Sequence, residues 1–442
     1  MQLMQPVRGT QDVLPEAMRR HRCISDTARR VAELYGFAEM ATPIFEFTEV
    51  FARPIGESTD IVAKEMYSLK DRGGEELSLR PENTAGIVRA VLSNGLTQNT
   101  PLKFFYSGPM FRYERPQRGR FRQFNQIGVE LLGVPQAQAD IEVIALGQRI
   151  LKELGIFERI MHELNTRGDP AEPLIRVAVP RVALELNTLG DPPSRAAYRD
   201  ALVCYFSLRK SELSEDSCRR LGVNPLRILD SKDPSDQRII REAPNFADYL
   251  NKGSYTLFAQ VREGLDRLGV QYRLNPRLVR GLDYYTHTVF EFVTADLGAQ
   301  GAVMAGGRYD GLVELMGGPA MAGVGWAAGI ERLAALIAEP PVRPRAVAVV
   351  PIGETAGSRA LLLAEDLRGA GFVVDLGYSG NLTRRLRRAN RIGAFAAILL
   401  GDDELARGAA TLRDLGNGEQ REVPLTQLAE YLRVLANREI PF

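Results

Sequence analysis

Between Met110 and Glu130 the chain reads MFRYERPQRGRFRQFNQIGVE, with Arg112, Arg115, Arg118, Arg120 and Arg122 set against a single acid, Glu114, before Glu130 closes the stretch. A guanidinium stays charged and offers a planar fork of donors that binds oxygens in pairs, so such a run suits phosphate. Arginine-rich loops are more often solvated surface, and the residues C-terminal to this one decide between the two. Gln126 and Glu130 lie an even number of residues apart, so on a strand they share one face. An amide and a carboxylate beside several guanidiniums make a polar pocket for something zwitterionic next to something polyanionic. The elements that must hold this pocket are legible on either side. Leu102–Ser107 is apolar and aromatic enough for a buried strand, Phe124, Ile127 and Val129 mark a second, and Pro116, Gln117 and Gly119 supply a turn. Two antiparallel strands joined by a long arginine loop are expected.

Composition bounds the rest. At 442 residues, with 45% hydrophobic and 25% charged content, the chain is long enough for two or three domains of an ordinary globular protein. The formal net charge is +1, so contact with nucleic acid must come from local basic patches. Cys23, Cys204 and Cys218 form no CxxC and leave an odd thiol, which argues for a reducing compartment and against a zinc site; the three histidines weaken a metal site further. No apolar run approaches a membrane span, and the start MQLMQPVRGTQ lacks the apolar core of a leader, so a cytoplasmic location is expected.

In chain order, Pro15–Tyr35 has helical spacing and a glycine stop at Gly36, and Phe37–Phe51, with Pro43, reads as an edge or interface strand. Asp71-Arg72-Gly73-Gly74 signals a hairpin between Met66–Leu69 and Leu77–Leu79, and Thr84–Ser93 and Asp140–Leu154 read as helices. ELNTRGDP at Glu163–Pro170 recurs as ELNTLGDP at Glu185–Pro192, a short local duplication. The second copy should occupy a structural slot and enter a helix, while Asn165–Pro180 forms a surface excursion, with Leu174–Val179 suited to a hairpin. Ala196–Gly269 carries helical patterning broken by Pro225, Pro234 and Pro244, and Val279–Phe292 is strand-like. The glycines at 323, 325 and 329 tempt a dinucleotide reading, but they come after an antiparallel pattern and open into GIERLAALIAE, a helix with Arg332 in its first turns. After the linker Glu339–Pro344 (EPPVRP), strands and helices alternate as in a small α/β domain with a largely parallel sheet. Its helix Leu382–Arg391 carries Arg384, Arg385, Arg387, Arg388 and Arg391 with no acid, which suits an RNA backbone.

Four ordered segments carry a family resemblance. FRYERPQRGRFRQFNQIGVE resembles motif 2 of class II aminoacyl-tRNA synthetases, in detail that of the histidyl family. LRPENTA (Leu79–Ala85) resembles the family's loop for the amino acid's ammonium group, RGLDYYTHTVFEF (Arg280–Phe292) its histidine-specific motif, and Ala305–Leu333 the second histidine motif plus motif 3. The resemblance implies an α+β catalytic domain with an antiparallel sheet flanked by helices (1–338), a helical insertion at about 195–270, a linker at 339–345 and an α/β anticodon-binding domain at 346–442. It makes Phe37–Phe51 motif 1, the contact of a homodimer.

The implied substrates are ATP, L-histidine and tRNA(His), with Mg2+ whose ligands are not assigned. The resemblance puts Arg112 on the α-phosphate, Arg332 on the γ-phosphate, and Arg280 between carboxylate and α-phosphate; Arg112 and Arg280 are the catalytic pair. Arg120 and Glu114 belong to the ATP site, and Arg120 reaches the outer phosphates or shifts when tRNA arrives. Glu82, Thr84 and Gln126 would hold the ammonium. Neutral imidazole has one donor and one acceptor, so a carboxylate and a hydroxyl match it: Glu130 and Tyr285, with Tyr309 lining the pocket and Tyr284 assigned to packing. Arg115 and Gln117, with Arg384, Arg387 and Arg388, would contact tRNA. Asn83 stands where many relatives have glycine, which adds a side chain beside the ammonium site. The rival reading is a synthetase-like regulatory subunit of ATP phosphoribosyltransferase. Such paralogues bind histidine without catalysis and typically lack the catalytic arginine and the C-terminal domain; here Arg280 is present and about a hundred residues come after the linker.

Overall fold

The computed structural model of the chain describes residues 3–56, 59–114, 119–157, 159–164, 175–229, 231–279, 281–298, 301–338 and 344–438. It divides into two compact units, Met1–Pro341 and Val342–Phe442.

The first unit begins with α1 (Pro15–Leu34), started by a proline whose missing N–H costs nothing at a helix's first position. Next come β1 (Ala38–Glu39), β2 (Phe45–Phe47), α2 (Glu49–Ile55), β3 (Tyr67–Lys70), β4 (Glu76–Leu79), α3 (Thr84–Ser93), β5 (Leu102–Phe111), β6 (Gln123–Leu132) and α4 (Ala137–Glu153). Then come β7 (Arg159–Leu164), β8 (Ile175–Pro180), β9 (Ala183–Thr188), and the helices α5 (Pro192–Ser207), α6 (Glu215–Val223), α7 (Pro234–Ile240) and α8 (Lys252–Arg267). The unit closes with β10 (Arg273–Leu274), β11 (Thr286–Val293), β12 (Ala302–Arg308), α9 (Leu312–Leu315), β13 (Gly323–Gly329) and α10 (Ile330–Ala334). An eight-stranded sheet in the order β1-β5-β6-β13-β12-β11-β9-β10 forms its centre. It is antiparallel except at its two ends, where β1 runs parallel to β5 and β10 to β9.

Strand alternation divides the work between the two faces. On β6 the odd residues Ile127, Val129 and Leu131 join Val143 and Ile150 of α4, Ile24 and Val31 of α1, and Val261 and Leu265 of α8 in one apolar core. The even residues Gln126, Gly128 and Glu130 face the other side, where α2, α3 and α9 build a second cluster around Phe51, Val88 and Leu312. Trp326 of β13 goes to the first face and its indole N–H donates to the Val143 carbonyl (3.0 Å), so a large buried ring leaves no polar atom unpaired.

Several expectations change. Phe37–Phe51 is not one strand: Ala38–Glu39 belongs to the large sheet, Phe45–Phe47 to a separate sheet ordered β2-β4-β3, and Phe51 to α2. Pro43 stands between the two strands, where its missing N–H breaks no ladder. Val279–Phe292 becomes a strand only from Thr286, and 275–279 and 281–285 are loop. The helix expected from GIERLAALIAE is the five-residue α10. The duplicated segment separates as its surroundings dictate. The second copy forms β9 inside the large sheet and leads into α5, capped by Asp191, whose Oδ1 accepts from the Ser194 N–H (3.0 Å). The first copy's strand pairs with β8 in a two-stranded ribbon of its own, so the excursion includes β7 itself; 165–174 lie outside the described residues.

The second unit contains β14 (Val347–Ile352), α11 (Glu354–Gly369), β15 (Val374–Leu376), α12 (Leu382–Arg391), β16 (Ala396–Gly401), α13 (Asp402–Ala406), β17 (Ala409–Asp414), β18 (Gln420–Pro424) and α14 (Leu428–Arg438). Its sheet, ordered β15-β14-β16-β17-β18, is parallel across β15-β14-β16 and antiparallel across β16-β17-β18, so it is mixed rather than largely parallel. The missed half lies after Gly401, where short strands without a strong apolar run gave no sequence signal.

Candidate active site

The hairpin β5–β6 is the floor on which the site stands. Its register pairs Gly108 with Gln126 and Phe104 with Glu130, and β13 lies on the other flank of β6 with Gly325 opposite Glu130 and Gly329 opposite Gln126. A Cβ on Gly325 would collide with the Glu130 carboxylate, so part of the glycine density of GVGWAAG makes room for an acid. Above this floor is a cavity of about 230 Å³.

One end is basic. Arg112, Arg120 and Arg332 line it, together with Glu114. Arg112 is held in place: its Nε donates to the Pro81 carbonyl (2.8 Å) and its guanidinium lies 5.5 Å from the Phe124 ring centre. Arg120 Nη1 donates to Glu114 (2.7 Å). Burial, followed by the nearby Arg120, holds the Arg332 guanidinium below its ordinary value, against the pull of Glu114 and Glu291. The short α10 offers no helix-end site; Arg332 serves through its side chain, while its neighbour Glu331 accepts from the backbone and side-chain N–H groups of Asn125 (2.9 and 3.0 Å), tying α10 to β6. Arg122 does not join this group: its guanidinium lies 3.7 Å from the Tyr113 ring centre, and its backbone N–H donates to the Gly9 carbonyl (2.7 Å).

The other end mixes an acid, an amide and hydroxyls. Glu82, Thr84, Gln126, Tyr284 and Tyr285 line it. The Glu82 carboxylate accepts from the N–H groups of Thr84 (2.6 Å) and Ala85 (3.0 Å), capping α3, while burial pushes its carboxyl up. Among the described residues the buried Gln126 Oε1 has no hydrogen-bond partner, so it leaves an acceptor open at this end. Tyr284, expected to be packing alone, borders the cavity as well as the core.

Glu130 and Tyr309 lie behind this wall, not on it. Glu130 is wholly buried, accepting from the Thr84 hydroxyl (2.7 Å) at Oε1 and from the Tyr309 hydroxyl at Oε2. Burial pushes its carboxyl up to about 8, against the pull of those two hydrogen bonds. Tyr309 therefore holds Glu130 instead of lining the pocket. Asn83 also differs from expectation: it is buried away from the cavity, its Oδ1 accepting from Thr42 (2.6 Å) and Arg80 (3.3 Å). Sequence reasoning missed Arg308, wholly buried, whose Nε donates to both oxygens of the equally buried Asp140 (3.1 and 3.2 Å) and whose Nη1 reaches Asp310 (3.1 Å). Asp140 occupies a polar slot in the apolar pattern of α4, the one sign of this pair in the sequence. Arg115, Gln117 and Arg280 lie outside the described residues.

In the second unit α12 presents Arg384, Arg387 and Arg388 to solvent; Arg388 is paired with Asp375 (2.7 Å), and Arg385 turns inward to the Pro351 carbonyl.

A family model for histidyl-tRNA synthetase matches residues 9–168 and 235–333. The chain belongs to the histidyl-tRNA synthetase family. A second model, for an anticodon-binding domain, matches residues 346–435. Histidine–tRNA ligase of Rhodospirillum rubrum is 54% identical over 98% of this chain and 99% of that protein. That of Gluconacetobacter diazotrophicus is 52% identical over 99% of this chain and its whole length. The crystal structure of S. aureus histidyl-tRNA synthetase superimposes with a TM-score of 0.77 at 34% identity, covering 97% of this chain and 99% of that one.

Proposed function

We propose that the chain is a histidine–tRNA ligase that forms histidyl-adenylate from L-histidine and ATP and transfers the histidyl group to the 3′ end of tRNA(His). The observation that carries this is one cavity with three guanidiniums at one end and, at the other, a buried unpaired amide oxygen beside acids and hydroxyls. In the first step a histidine carboxylate oxygen bonds to the α-phosphorus, the bond from that phosphorus to the bridging oxygen breaks, and pyrophosphate leaves with the electron pair. The nucleophile is already ionised near neutral pH, so no general base is required. What the protein must supply is alignment and neutralisation of repelling anions.

Arg112, pinned by the Pro81 carbonyl, is placed for the α-phosphate, and Arg332 and Arg120 for the outer phosphates. Arg120 must then exchange Glu114 for phosphate. Arg280 is assigned the bridge between carboxylate and α-phosphate. The ammonium goes to Glu82, Thr84 and the unfilled Oε1 of Gln126. The imidazole N–H goes to Glu130, replacing the Thr84 hydroxyl at Oε1, and the other ring nitrogen goes to Tyr285. Mg2+ would enter with the nucleotide. The carboxylates Glu291 and Glu331 at this cavity fit an ion that takes one or two acids plus phosphate oxygens, and the ion would neutralise phosphate charge. Among the described residues no three His, Cys, Asp or Glu side chains converge on a metal site.

In the second step the terminal ribose hydroxyl of tRNA attacks the activated carbonyl and AMP leaves. Arg115 and Gln117 in the arginine loop are assigned to the acceptor end, and α12 to the anticodon arm. Replacing Arg384, Arg387 and Arg388 with Ser should weaken tRNA charging about tenfold or more at moderate salt, with a smaller salt dependence, while pyrophosphate exchange into ATP stays normal. Equal loss of both activities would assign these arginines to the fold.

A homodimer is part of the proposal. On the β2-β4-β3 sheet, Glu46 and Ser78 turn inward, with Ser78 bonded to both Thr48 (2.9 Å) and the exposed Ser68 (2.8 Å), while Phe45, Phe47 and Leu69 are half exposed on the outer face. A solvated sheet would show the reverse, so the outer face suits a second copy. No described helix is long and apolar enough to cross a membrane, and the three cysteines are unbridged; we place the reaction in the cytoplasm. The deciding experiment is charging of a tRNA(His) transcript with labelled histidine. A protein that binds histidine but charges no RNA would instead support the regulatory-subunit reading.

A further inference from the structure

The loop 281–285 walls the amino-acid end of the cavity with Leu282, Tyr284 and Tyr285, yet it belongs to no strand. Without a ladder its backbone needs other partners. The amide of Asp283 donates to the Ile55 carbonyl (3.1 Å), and the backbone comes so close at Gly56 that a Cβ there would collide with the Asp283 carboxylate. On the other side the loop is held by the helical stretch α5–α6 and the turn after it. Arg195 Nη1, in the first turns of α5, donates to the carbonyls of Asp283 (3.2 Å) and Tyr285 (3.0 Å). Arg227 Nη2 donates to the carbonyl of Gly281 (2.6 Å) and lies 3.9 Å from the Asp283 carboxylate, which Asn224 Nδ2 also approaches (3.4 Å). Three alternate carbonyls, at 281, 283 and 285, are thus gripped by two guanidiniums.

We infer that Arg195 and Arg227 are positioning residues for histidine activation, fixing the 281–285 loop from outside the cavity. Both lie in 169–234, the stretch over which the synthetase family model has no match, so neither is assigned a role by that resemblance. Neither lines the cavity. A guanidinium fits the task because one nitrogen can serve two carbonyls while Asp283 balances the charge, and burial otherwise disfavours the Arg195 cation. The loop carries Tyr285, so a shift of its backbone moves the group proposed to meet the imidazole, and does not disturb Arg112 or Arg332 at the phosphate end. Displacements of this kind cost about 10²-fold in rate when the reacting atoms lose alignment.

The inference rests on the adenylation reading, and one set of assays separates the two. Histidine-dependent exchange of pyrophosphate into ATP is measured for the parent and for Arg195→Met, Arg195→Lys, Arg227→Met and Arg219→Ser, with folded fraction followed by circular dichroism. Arg219, exposed on α6 and paired with Asp216 one turn before it, is the control. The expected result is a fall of about 10²-fold in kcat/KM for histidine in Arg195→Met, a smaller fall in Arg227→Met, partial recovery in Arg195→Lys and no change in Arg219→Ser. The KM for ATP should stay within about twofold throughout. Loss of activity that merely tracks the folded fraction, with the two KM values unmoved, would overturn the inference; so would normal exchange in both Met variants of an active parent. A parent without histidine-dependent exchange would overturn the adenylation reading, and the inference with it.

Discussion

Replacing Glu130 with Gln should make the empty protein more resistant to heat above neutral pH while removing its ability to activate histidine. The Glu130 carboxyl is wholly buried and pushed up to about 8, against an ordinary value of 4.5 in an exposed chain. Its folded-state value is the higher one, so its contribution to stability is complete below about 4.5 and is lost as pH rises through about 8. Gln cannot ionise and escapes that loss. The variant should therefore melt like the parent near pH 4.5 and at increasingly higher temperature towards pH 8, by an amount bounded by about 1.4 kcal/mol for each pH unit of displacement. The same substitution takes the carboxyl acceptor from the imidazole N–H, which should lower histidine activation about 100-fold or more. Melting curves over this pH range, together with exchange kinetics, check both halves. A lower melting temperature at pH 8, or undiminished exchange, would remove Glu130 from the proposed role.

Arg308→Met should cost about 3–5 kcal/mol of stability, because it leaves the Asp140 carboxylate wholly buried without its counter-charge. The double variant Arg308→Met with Asp140→Leu should recover most of that loss, since a buried pair replaced as a unit by apolar groups is often neutral. Activity should fall in the single variant beyond what unfolding explains. Asp310, which shares Arg308, also accepts from the Gly323 N–H (3.2 Å) and adjoins Tyr309, which holds Glu130. Thermal unfolding of the single and double variants is the check. A single variant within about 1 kcal/mol of the parent would show that water reaches Asp140.

What the sequence disclosed and what it hid depend on the range of the interactions. The hairpin carrying Gln126 and Glu130 was legible because strand alternation is local: apolar Ile127 and Val129 alternate with the polar pair, and the structure puts the two sets on opposite faces. Helices α3 and α12 were legible to the residue because their patterning is local too. Whether Glu130 touches the cavity or stands behind Thr84 was not legible, since that depends on a hydroxyl 46 positions away in the chain. The Arg308–Asp140 pair, 168 residues apart, and the grip of Arg195 and Arg227 on the 281–285 loop were hidden likewise. Charged residues on amphipathic helices look like solvated faces until the fold turns them inward. The split of Phe37–Phe51 between two sheets and a helix had a visible marker in Pro43, but its alternating phenylalanines favoured a continuous strand.

The central claim is that this cavity activates histidine. Exchange of labelled pyrophosphate into ATP, measured with each standard amino acid in turn, tests it most directly. The account predicts exchange driven by histidine, with every other amino acid lower by about 10³-fold or more, because a site built to hydrogen-bond both ring nitrogens strands its own polar groups when they are missing. Histidine binding without exchange, or exchange driven equally well by another amino acid, would contradict it.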